Sequence, residues 1–76
     1  MNGRTSNATD RHVGAQLRAL RETRGLTLAQ LGAALGVTPA QVQKYERGED
    51  RIGAGRLFDA AQHLGVEVAA FYEGLV

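Results

Sequence analysis

The stretch that most limits what this chain can fold into runs from Thr27 to Gly48, TLAQLGAALGVTPAQVQKYERG. It reads as two short helices joined by a tight turn at Gly36-Val37-Thr38. Thr27 with Gln30 three residues later is a capping box that opens the first of these helices. Leu28, Leu31 and Leu35 give it one buried side, and Gly36 stops it. Thr38 followed by Pro39 is a cap and first-turn proline, so the next helix starts there. Val42 and Tyr45 point inward at i, i+3, and Gly48 ends the helix.

Two helices joined so closely cross steeply, at about 90–120°. Positions facing the crossing must be small, and Gly32, four residues before Gly36, is placed there. Gly36 supplies the positive φ that a three-residue turn needs. Val37 plugs the core beneath the turn. With Val42 and Tyr45 inward, the outward set on the second helix is Ala40, Gln41, Gln43, Lys44 and Arg47.

The remaining residues supply a frame for this pair. Met1–Thr9 is polar and aperiodic and reads as a flexible arm, which leaves a single domain over 10–76. Asp10 is the expected N-cap of a first helix whose apolar stripe is Val13, Leu17 and Leu20, ended by Gly25. Glu49–Gly55 is a loop anchored by Ile52. A further helix over Ala54–Leu64 carries Leu57, Phe58, Ala61 and Leu64 on its apolar face. A last short helix is expected at Val68–Tyr72, carrying Phe71. No stretch alternates with the period of a strand, so the expected fold is all-α, a compact five-helix bundle.

Composition narrows the function classes. The 76 residues contain no cysteine, which excludes a disulfide framework and thiolate metal sites. His12 and His63 are far apart, with no second ligand at i+3 or i+4, and read as ordinary surface or half-buried residues. No metal or cofactor is expected. No nucleophile–base pairing or phosphate loop is legible, so the expectation is a non-enzyme. No apolar run of about 18 residues or signal core exists, which makes no membrane contact and the cytoplasm the default. The net charge is only +1, yet all nine Lys and Arg precede position 57. A polyanion would meet the first two thirds of the chain. The same bias also describes an unevenly charged solvated surface.

The outward residues have the chemistry of base recognition. Gln can bond adenine through two contacts, Lys reaches guanine O6 and N7, and the first free N–H groups of a helix hold phosphate. The pattern LTLAQLGAALGVTPAQVQKYERGEDRI, with RALRETRGLT before it and AAQHLGVEVAAFYEG after it, resembles the Cro/cI-type (XRE) helix-turn-helix family over residues 11–74. The resemblance implies a lambda-repressor-like five-helix domain that binds operator DNA, in bacteria, often as a two-fold dimer. It assigns groove contact to Ala40, Gln41, Gln43 and Lys44, and phosphate contact to Thr38, Arg47 and Arg51. It also implies a structural ion pair between Arg21 and Glu46. Three positions depart from the family pattern. Leu28 replaces a phosphate-contacting Gln, Gly32 replaces Ala, and Gly53 replaces a Ser or Thr cap.

The leading expectation is a sequence-specific transcriptional regulator, a repressor, that reads double-stranded DNA with residues 39–47. It is expected to act as a homodimer through the apolar end Val66–Tyr72 with Leu75 and Val76. No ligand-sensing segment is seen, so no small-molecule ligand is expected. The alternative is an antitoxin or other protein-interaction module of a toxin–antitoxin pair that uses the same helical domain. An antitoxin carries an extra segment that wraps its partner, and little of this sequence lies outside the domain.

Overall fold

The computed structural model describes residues 7–75. It contains four α-helices: α1 (Ala8–Thr23), α2 (Leu28–Leu35), α3 (Pro39–Glu46) and α4 (Ala54–Leu64). A short 3-10 helix follows at Val68–Tyr72. There is no strand among the described residues. No helix among them is long and apolar enough to cross a membrane.

Five helices were expected, and the fifth is not an α-helix. Val68–Tyr72 closes only i→i+3 bonds, Ala70 N–H to the Glu67 carbonyl at 2.9 Å and Glu73 N–H to the Ala70 carbonyl at 3.4 Å. Five residues are too few to propagate an α-helix, and a 3-10 turn satisfies the same groups in less length.

The start of α1 also differs from expectation. Its N-cap is Asn7, and Asp10 is the third helical residue of a capping box. Asn7 Oδ1 accepts the Asp10 N–H at 2.9 Å, and Asp10 Oδ2 accepts the Asn7 N–H at 3.3 Å. Asn7, Ala8 and Thr9 therefore belong to the cap and first turn of α1 and not to an arm. The rest of the expected arm, residues 1–6, lies outside the described residues. The first turn carries no large apolar residue, so periodicity could not mark it; the N-x-x-D spelling marks it instead.

The core gathers Leu17, Leu31, Val42, Leu64 and Phe71, all fully enclosed, with Tyr45, Ile52 and Leu57 around them. Val37 packs against this cluster from beneath the turn. One expected core residue lies outside. Phe58 is 55% exposed, because α4 buries Leu57, Ala60, Ala61 and Leu64. Those positions are i, i+3, i+4 and i+7, and residue i+1 points about 100° away.

Gly36 has φ +73° and ends α2 with open space where a Cβ would stand. Gly32 is needed for a different reason. A Cβ there would lie 2.7 Å from the Val37 carbonyl oxygen, so the turn folds directly onto the glycine. The close approach is thus between α2 and the backbone of the turn.

Two long-range bonds fasten the 3-10 segment to α1. His12 Nε2–H donates to the Glu73 carbonyl at 2.7 Å, and Gln16 Nε2–H donates to the Ala70 carbonyl at 3.0 Å. Phe71, fully buried between them in sequence, closes the core from that side. The apolar end expected to drive dimerisation is thereby largely used inside the molecule. Val66 and Val68 pack on the core, Tyr72 is 41% exposed, and Val76 lies outside the described residues.

Candidate nucleic-acid interface

Helix α3 is short, and its placement follows from its two ends. Thr38 Oγ1 accepts the Gln41 N–H at 3.1 Å, and Pro39 fills the first turn where its missing N–H costs nothing. At the other end Gly48 turns the chain, and the N–H groups of Glu49 and Asp50 both donate to the Lys44 carbonyl at 2.9 and 3.3 Å. Val42 and Tyr45 anchor the inner face in the core. The opposite face is therefore held rigidly and open to solvent.

On that face Thr38, Ala40, Gln43, Lys44 and Arg47 are exposed. Gln41 is half-buried, and its Nε2–H donates to Asp50 Oδ2 at 3.0 Å. Arg47 lies 3.6 Å from Glu49 across a pair that is mostly in solvent, an arrangement worth at most about 1 kcal/mol. Arg51 stands apart from α3 and donates from Nε to Asp10 Oδ1 at 3.0 Å. That carboxylate holds the Arg51 guanidinium charge above its ordinary range, by the hydrogen bond first and by Coulomb attraction second. Six of the seven expected DNA-contacting residues thus share one helix and its caps, and Arg51 is tied to the start of α1.

Beside this face lies a recess lined by Arg18, Arg21, Leu28, Gln43, Glu46 and Arg47. Its floor is the ion pair. Arg21 Nε donates to Glu46 Oε2 at 2.7 Å and Nη2 to Oε1 at 3.1 Å, the two-pronged geometry that suits a guanidinium and a carboxylate. Arg21 Nη1 also donates to the Leu26 carbonyl at 2.9 Å. The two side chains are 12% and 5% exposed. The hydrogen bond to Glu46 raises the Arg21 pKa, against the opposing effect of burial. A carboxylate at the end of a helix facing a polyanion would repel it, and here that charge is matched and covered.

The departures from the family pattern have visible consequences. Leu28 is half-buried and packs against the core, so its side chain offers no polar atom to a phosphate. Gly53 opens α4 without any side-chain cap bond.

Several relevant residues escaped the reading of the sequence. Asp50 and Asp10, which hold Gln41 and Arg51, lie 9 and 41 residues away from them. No local spacing signals either pair. Gly14 was also unmarked: a Cβ there would overlap the Tyr45 carbonyl and lie 2.7 Å from the Glu46 carbonyl oxygen, so α1 and α3 meet backbone to backbone. A glycine within a helical stripe, between Val13 and Leu17, was the available signal.

Comparison with known proteins agrees with this geometry. The family model described as helix-turn-helix matches residues 17–71. An HTH-type transcriptional regulator of Sinorhizobium fredii, y4wC, is 49% identical over 70 residues, covering 92% of this chain and 49% of that protein. This chain spans about half the length of the first curated relatives it matches. Among solved structures it is similar to the clp gene regulator ClgR of Corynebacterium glutamicum, with a TM-score of 0.80, 31% identity, and coverage of 86% and 84% of the two chains. It is also similar to the restriction-modification controller protein C.AhdI of Aeromonas hydrophila, with a TM-score of 0.79, 26% identity, and coverage of 86% and 98%. The fold recurs within an enzyme, the hydroxypropylphosphonic acid epoxidase of S. wedmorenis, with a TM-score of 0.76 and 28% identity. That match covers 90% of this chain and 35% of the enzyme.

Proposed function

The chain belongs to the XRE-type helix-turn-helix family, and from that premise we propose that it is a DNA-binding transcriptional regulator, a repressor, that lays α3 in the major groove. The observation that carries this reading is the open face of α3. Exposed Ala40, Gln43 and Lys44 stand over the buried pair Val42 and Tyr45, with the capped N-terminus and Arg47 at either end. Short and polar side chains at the start of such a helix reach base edges, and the cations at its exit meet phosphate. The role is binding, without catalysis.

The protein acts as a homodimer on its operator. One short helix reads only a few base pairs, and a two-fold pair with half-sites about 34 Å apart multiplies that information. The exposed Phe58 and Tyr72 are the described large apolar side chains left over for such contact.

A salt titration of binding to genomic DNA fragments tests the reading. Each neutralised phosphate contributes about −0.9 to the slope of log K against log salt, so a steep fall is expected. Absence of binding at low salt overturns the proposal. A single protomer per operator, by native mass measurement, overturns the dimer.

A further inference from the structure

The chain spells the same capping signal twice, Thr27-x-x-Gln30 before α2 and Thr38-x-x-Gln41 before α3, and the two fold differently. In α2 the box closes: Thr27 Oγ1 accepts the Gln30 N–H at 3.0 Å, and Gln30 Oε1 accepts the Thr27 N–H at 2.9 Å. In α3 the threonine keeps its half of the box, with Thr38 Oγ1 on the Gln41 N–H. The glutamine gives up its half and donates Nε2–H to Asp50 Oδ2 at 3.0 Å.

Asp50 is firmly placed for this. The N–H groups of Glu49 and of Asp50 itself fold the loop back on the Lys44 carbonyl. The carboxylate is half-buried, and it makes no ion pair among the described residues, although Arg47 and Arg51 are close in sequence. It therefore adds a negative charge beside Lys44 and Arg47, with its one described side-chain bond given to Gln41.

An ionised carboxylate only accepts hydrogen bonds. Only the NH₂ end of the Gln41 amide can face it, so the flip of that amide is decided. One Nε2–H is used, and among the described residues Oε1 and the second N–H take no other partner. Those are the acceptor and donor that adenine N6 and N7 require. We infer that Asp50 is a positioning residue that sets base preference through Gln41, selecting adenine at one position of the half-site by pre-orienting the amide. This rests on the DNA-binding reading above.

The test is selection of bound duplexes from a random DNA pool, followed by sequencing, for wild type, Gln41→Ala, Asp50→Ala, Asp50→Asn and the double variant Gln41→Ala with Asp50→Ala. Wild type is expected to prefer adenine at one half-site position. Asp50→Ala and Gln41→Ala each lose that same preference, about tenfold, and the double variant loses no more than either alone. Asp50→Asn keeps a partner for Gln41 but, having its own NH₂, tolerates either flip, and so broadens the preference instead of abolishing it. Both Asp50 variants also bind random DNA more tightly, because a charge repelling phosphate is gone. A loosened loop alone would weaken all sequences together. The inference is overturned if Asp50→Ala retains the preference that Gln41→Ala loses, or if the two change different base positions. Failure of wild type to bind any duplex overturns the DNA-binding reading itself.

Discussion

Gly14 of α1 abuts Tyr45 of α3 so closely that no side chain fits between them. A Cβ on Gly14 would overlap the Tyr45 carbonyl oxygen. This contact brings α1 down onto the last turn of α3, where Arg21 can reach Glu46. The open face of α3 is thus oriented from behind by the absence of a methyl group.

Gly14→Ala is accordingly expected to destabilise the domain. In an open helix the change would be favourable by about 1 kcal/mol. Here the overlapped neighbours are backbone atoms that cannot rotate away, and overpacking of this kind costs about 1–3 kcal/mol. A domain of this size loses about 4–8 °C of melting temperature per kcal/mol. A melting temperature equal to or above that of wild type would show that the helices separate freely.

The Arg21–Glu46 pair predicts non-additive losses. Each side chain is nearly covered, so removing one leaves a buried charge without its partner, at about 3–5 kcal/mol. Glu46→Ala should therefore lower stability sharply, and adding Arg21→Ala should cost less than the sum of the singles. Folding raises the Arg21 pKa, so the arginine's share is fully present below its unfolded value and is lost only as pH climbs past the folded value, in strong alkali. Strictly additive losses in urea denaturation would mean that the pair contributes nothing as a pair.

Gly36 and Gly48 share positive φ but not surroundings, at +73° and +71°. Alanine at 36 meets open space and carries only the left-handed strain, about 1–2 kcal/mol. Alanine at 48 carries that strain and also lands 2.7 Å from the Cα of Arg11. Gly48→Ala should be clearly the worse of the two by equilibrium denaturation; equal losses would show that α1 yields at Arg11 without cost.

Lys44 and Arg47 should separate base choice from general affinity. Lys44→Ala is expected to cost about 1–3 kcal/mol on the selected operator and to relax preference at one base. Arg47→Ala should weaken all duplexes alike and reduce the salt slope by about 1. Equal effects of Lys44→Ala on operator and random DNA would remove it from the base-reading set.

A linear string of residues carries what neighbours along the chain settle among themselves. The box at Thr27 and Gln30, the start at Thr38-Pro39, the stop at Gly36 and the inward phase of Val42 and Tyr45 all act within about one or two helical turns, and all are found in the structure. Caps and 3.6-residue periodicity are local physics, so a linear string carries them whole. The pairing of Arg21 with Glu46 came only through family resemblance, since nothing local joins residues 25 apart.

Tertiary structure decided the rest. Whether the second T-x-x-Q closes as a cap or turns to Asp50 depends on where the loop after α3 falls. Whether Gly14 is a weak helix residue or a contact point depends on α3 lying against it. The capture of Arg51 by Asp10, and of the Glu73 and Ala70 carbonyls by His12 and Gln16, depends on segments 41 to 61 residues apart meeting in space. Each of these is a short-range force acting across a long stretch of chain, and only the packed core brings its partners within reach.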